Sequence, residues 1–98
     1  MKLSEAILKG CEMVPKQAYH GYVVISSDGS VLSACAIGAA AVAYEGLGQS
    51  SGVYCSLGRR LLDRADLIVP GTAHFIVSRN DTGTSREAIA AELAELGL

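Results

Sequence analysis

Residues 34–44, ACAIGAAAVAY, carry no charge on any face and consist largely of small side chains. A helix that is apolar all round has no face to offer water, so it is stable only when enclosed. The segment is shorter than the roughly 20 residues that a membrane span needs, which makes protein the expected enclosure. It predicts a buried central helix that stops at Glu45-Gly46. Alanines at 36 and 40, or at 39 and 43, leave a smooth groove into which a second helix fits closely, and bulkier residues there would overpack.

The flanking sequence supplies the cover. Leu3, Ile7, Cys11 and Val14 recur at helical spacing and predict a helix over 4–13, with Ser4 as its cap, Leu3 and Leu8 as a staple, and Pro15 as its stop. The β-branched and aromatic run at 19–25, the turn residues Ser27-Asp28-Gly29-Ser30 and then Val31-Leu32 predict a hairpin with a short second strand. Glycines and serines dominate 46–58, which reads as a mobile loop, and Ser56 is placed to cap a short helix over 57–65. Pro70-Gly71 suits a turn, and Phe75, Ile76 and Arg79 favour one turn of helix over 73–79 behind a Thr72 cap rather than a strand. Thr84 and Glu87 have capping-box spacing ahead of Ile89, Leu93 and Leu96, so a last helix is expected over 85–96 and ends at Gly97. Together these make one small α+β domain over 1–98, mostly helical with a short β-hairpin, its small-residue-rich central helix sandwiched between the first and last helices.

Eight Lys and Arg against ten Asp and Glu leave a net charge of −2, which offers no broad basic surface to nucleic acid or to an anionic membrane. Glu5 and Lys9 interrupt the apolar core that a signal peptide would need, so a cytoplasmic location with no membrane span is expected. The three cysteines, Cys11, Cys35 and Cys55, form no C-x-x-C pair and read as reduced, buried thiols.

Few residues suggest chemistry. Cys35 falls at a helix start, where free amides favour a thiolate, and is the one candidate reactive thiol. The histidines that would have to serve as its base, His20 and His74, are distant in sequence. They show no metal-ligand spacing with Cys55 or Asp81. Asp28-Gly29 lacks the series of a calcium loop, and the glycines at 46, 48 and 52 lack the context of a dinucleotide loop. No catalytic set, metal or cofactor is therefore expected, and an enzyme is the less favoured reading. Arg59, Arg60 and Arg64, with Arg79 as an outlying member, form the one basic cluster, suited to an anion or an acidic partner segment. The stretch from 73 to the last helix has the outline of a helix-turn-helix, but no recognition helix follows Leu98, so nucleic acid is disfavoured.

The run Asn80-Asp81-Thr82-Gly83-Thr84-Ser85-Arg86-Glu87-Ala88-Ile89-Ala90, the helix opening Cys35-Ala36-Ile37-Gly38-Ala39 and the N-terminal Leu3-Ser4-Glu5-Ala6-Ile7 resemble, in that order, a group of small bacterial and phage proteins. The resemblance covers about a third of the chain and departs from the group where an aromatic usually follows the final Ile-Ala; Glu92 and Leu93 stand there. It implies a small α-rich domain and brings no activity with it. The resulting expectation is an accessory or protein-interaction module, forming a homodimer or binding another protein through Ile89, Leu93 or the 46–58 loop. Alternatives are a small thiol enzyme or ligand-binding domain centred on Cys35 beneath that loop, and a nucleic-acid-associated regulator acting through the arginines.

Overall fold

The computed structural model describes all 98 residues. Five helices and one antiparallel hairpin follow in the order α1 (Leu3–Met13), β1 (Val23–Ile25), β2 (Val31–Ala34), α2 (Ala36–Glu45), α3 (Ser51–Ile68), α4 (Thr72–Asp81) and α5 (Arg86–Glu95). This is the expected α+β domain, and no helix is long and apolar enough to cross a membrane.

Helix α2 is the enclosed element: every residue from Ala36 to Val42 is buried. Its neighbours differ in part from expectation. It is held between α1 and α3, while α5 packs chiefly on α1 and only marginally on α2. The smooth groove is used at Ala39, where α1 presents Gly10 so closely that a Cβ there would lie 1.9 Å from the Ala39 carbonyl oxygen. At the start of α2, a Cβ on Gly38 would lie 1.8 Å from the Tyr22 carbonyl oxygen. Two backbone-to-backbone contacts thus fix where α2 sits, each open only to glycine. Ile7, Ile37, Leu61, Ile76, Ile89 and Leu93 fill the main core around it, and Val14, Val42 and Tyr54 fill a second cluster beside the sheet.

The hairpin pairs Val23 with Ala34 and Val24 with Ser33, then slips at Ile25, which faces Val31. Its turn is set by Asp28, whose carboxylate accepts from the Ser30 amide at 3.0 Å and the Ser30 hydroxyl at 2.7 Å, followed by Gly29 at φ 86°. These bonds hold the exposed Asp28 carboxyl down at about 2, the Ser26 hydroxyl bond being the largest contribution.

Several caps fall elsewhere than expected. Ser4 is buried within α1 rather than capping it, and its amide donates to the Leu98 carbonyl at 3.2 Å. Lys2 is the cap residue, its amide donating to Glu5 Oε1 at 2.8 Å. Leu8 is exposed, so no staple closes on it. Ser85, not Thr84, caps α5 by accepting from the Ala88 amide at 3.1 Å, and Glu87 turns toward the Cys11 thiol instead. Gly71 rather than Thr72 precedes α4 as its cap residue, and the Asp66 carboxylate accepts the Ala73 amide at 2.8 Å.

Residues 46–58 are not the expected mobile loop. Helix begins at Ser51, capped by Ser50, and runs unbroken through Ser56 to Ile68. Tyr54 anchors it: the ring is wholly buried, and its hydroxyl donates to the Gly46 carbonyl at 2.7 Å and accepts from the Gln49 amide at 3.3 Å. Gly58 is buried because the Tyr22 ring lies 2.8 Å from where its Cβ would be. Glycine here serves close packing, not mobility.

Candidate functional site

Two buried polar side chains organise the side of the molecule where α2 begins. Arg86 is 2% exposed and donates to the carbonyls of Val14 at 2.7 Å, Ala34 at 3.1 Å and Pro15 at 2.5 Å, with no carboxylate among its partners. It ties the end of α1 to the end of β2. Asn80, equally buried, uses its whole hydrogen-bonding capacity. Its Oδ1 accepts from Gln17 Nε2 at 2.9 Å and the Ala36 amide at 3.0 Å, while Nδ2 donates to the Ala18 carbonyl at 2.9 Å and Asp81 Oδ1 at 3.2 Å. Helix α4, the 17–18 segment and the N-terminus of α2 are thereby held at one point.

Beside that point opens a cleft of about 400 Å³ lined by His20, Gly21, Tyr22, Cys35, Ile37, Ile76, Val77, Asn80 and Asp81. Its volume lies toward the lower end of the range for small-molecule sites. His20 stands in the left-handed region at φ 60°, uncommon for a residue with a side chain. That conformation is held by its amide donating to Asp81 Oδ1 at 3.0 Å, and its Nδ1 lies 3.4 Å from Asp81 Oδ2. The Asp81 carboxyl sits below the usual carboxylate range, mainly because of the His20 amide, with partial burial opposing and the Asn80 side chain and His20 charge assisting.

Cys35 caps α2, its Sγ accepting from the Gly38 amide at 3.3 Å. Burial pushes this thiol up, and the Gly38 and Ile37 amides only partly offset that. The cleft does bring Cys35, His20 and Asp81 to one place, which sequence separation concealed. The thiol nevertheless rests protonated at neutral pH. Iodoacetamide is expected to label Cys35 more slowly than a cysteine in a short peptide, with a rate still rising near about pH 9. A rate that levels off below about pH 7 would instead reveal an activated nucleophile.

The other sequence candidates lie apart from the cleft. Arg59, Arg60 and Arg64 are exposed on α3, whereas Arg79 is paired with Glu92 across α4 and α5 and does not join them. Ile89 and Leu93 are both 0% exposed, so neither can form the expected interface; they belong to the core. The 46–58 segment does not roof Cys35, since no residue of it lines the cleft. No group of three His, Cys, Asp or Glu side chains is placed to hold a metal ion.

Sequence reasoning did not assign Tyr22, Ile76, Val77 or Asn80 to a site. Asn80-Asp81 opened the motif that carried the resemblance, and this was the one available signal. No protein-family model, curated protein or solved structure matches this chain.

Proposed function

We propose that this domain is a small non-enzymatic accessory module that binds a small molecule in the cleft between Tyr22, Ile76 and Asp81. One observation carries the reading: a cleft of about 400 Å³ combines apolar walls with a carboxylate held in place by the fully bonded Asn80. A few fixed polar groups within apolar walls are the usual composition of a ligand site. A protonated Cys35, spent as a helix cap, favours binding over thiol chemistry.

The test is a fragment screen read by amide NMR. Hits are expected to shift Tyr22, Ile76 and Asp81 together, and Val77→Trp, which changes an exposed cleft residue, is expected to weaken them by about tenfold or more. Shifts scattered over the surface, or hits indifferent to Val77→Trp, would refute the reading.

A second reading, docking to a protein partner or a second copy, rests on Leu67 and Ile68, which are 84% and 67% exposed on the last turn of α3. It predicts concentration-dependent broadening of those two amides; sharp signals at every concentration would remove self-association from consideration.

A further inference from the structure

Given that the cleft is a ligand site, we propose that its ligand class is a small apolar molecule bearing an amine. The inference comes from which polar groups in the cleft remain free. Asn80 has all its donors and acceptors engaged, so it shapes the site without contacting a ligand. Cys35 Sγ is turned to the Gly38 amide. Asp81 Oδ1 already accepts from the His20 and Asn80 nitrogens. Of the carboxylate, amide and thiol groups Asp81 Oδ2 is left, in a cleft also lined by Tyr22, which carries a hydroxyl, and by the His20 imidazole, whose Nδ1 is 3.4 Å away.

The His20 side chain is 78% exposed and the Asp81 side chain 24%. An incoming ammonium can displace the one and reach the other without opening the core. No lysine or arginine lines the cleft. An anionic ligand would bring its charge beside the Asp81 carboxylate, whose one basic neighbour is the exposed His20 imidazole, whereas a cation would pair with it in surroundings drier than bulk water. Tyr22 adds an aromatic wall that favours a cation electrostatically, and the exposed Val77, over the buried Ile37 and Ile76, gives the apolar body its contact. The volume suits a molecule of one or two rings.

The probes are 2-phenylethylamine, 2-phenylethanol and 3-phenylpropionate, titrated at about pH 8. Amide shifts at His20, Tyr22 and Asp81 are expected to give an affinity for the amine about tenfold or more above those for the alcohol and the acid. Asp81→Asn, which keeps the shape and an acceptor oxygen, is expected to erase that preference while the alcohol still binds. The wild-type series is decisive by itself, so a variant that fails to fold does not protect the proposal. Equal or stronger binding of the alcohol or the acid overturns the amine class and leaves the cleft reading standing. Absence of binding by all three probes also overturns it, and the fragment screen then determines separately whether the cleft reading falls.

Discussion

Gly10→Ala is expected to destabilise the protein by about 3 kcal/mol or more, although it adds a single methyl group to a helix. Alanine is ordinarily the better helix former by roughly 1 kcal/mol. Here the new Cβ would meet the Ala39 carbonyl oxygen at 1.9 Å, its carbon at 2.3 Å and its Cα at 2.7 Å. All three are backbone atoms, so no rotamer change relieves the clash, and α1 and α2 must separate along the main contact of the fold. Gly52→Ala is the matched control. It lies in the first turn of α3, with only the Ser50 hydroxyl oxygen near its Cβ, at 3.8 Å. That change is expected to be neutral or stabilising by up to about 1 kcal/mol. Urea unfolding of both variants tests the pair, and equal midpoints would contradict the backbone-contact account.

Arg86→Met is expected to cost about 1–3 kcal/mol. Replacing a buried charge by an apolar side chain is often harmless, because its desolvation penalty disappears with it. The outcome differs here because two of the guanidinium's partners, the Val14 and Ala34 carbonyls, stay buried, whereas Pro15 lies on the surface. Ala34 retains the Ala18 amide at 3.0 Å, but the Val14 and Pro15 carbonyls have no other donor. The orphaned buried Val14 carbonyl costs about 1–3 kcal/mol, the surface Pro15 carbonyl turns to water, and the Arg86 link between α1 and β2 is lost. Unfolding in urea gives the cost directly. A loss below about 1 kcal/mol would mean that water replaces the guanidinium without strain.

The parts of the fold legible in the sequence are those set by local pattern. Pro15 stops α1, the uncharged run becomes α2, and the Ser85–Leu93 periodicity becomes α5, each within about two residues of its expected bounds. Helix α3 was not legible, because Gly52 and Gly58 look like loop residues until Tyr54 is seen buried on its first turns and Tyr22 packed against Gly58. Cap identities likewise depend on tertiary contact. Ser4 has the chemistry of a cap, but the contact of its amide with Leu98 draws it into the structure.

The cleft was less legible still. Its lining comes from 20–22, 35–37 and 76–81, segments joined by Asn80 hydrogen bonds that span 44 to 63 residues of sequence. Burial of Ile89 and Leu93 was likewise a tertiary outcome: their spacing specified a helix face but not which surface would cover it.

A crystal structure of the protein soaked with a fragment mixture tests the ligand-site reading most directly. The account predicts density for a bound fragment between Tyr22, Ile76 and Asp81, with the Asn80 hydrogen bonds unchanged. Fragments bound only at Leu67 and Ile68, or a cleft closed by collapse of Tyr22 onto Ile76, would contradict it.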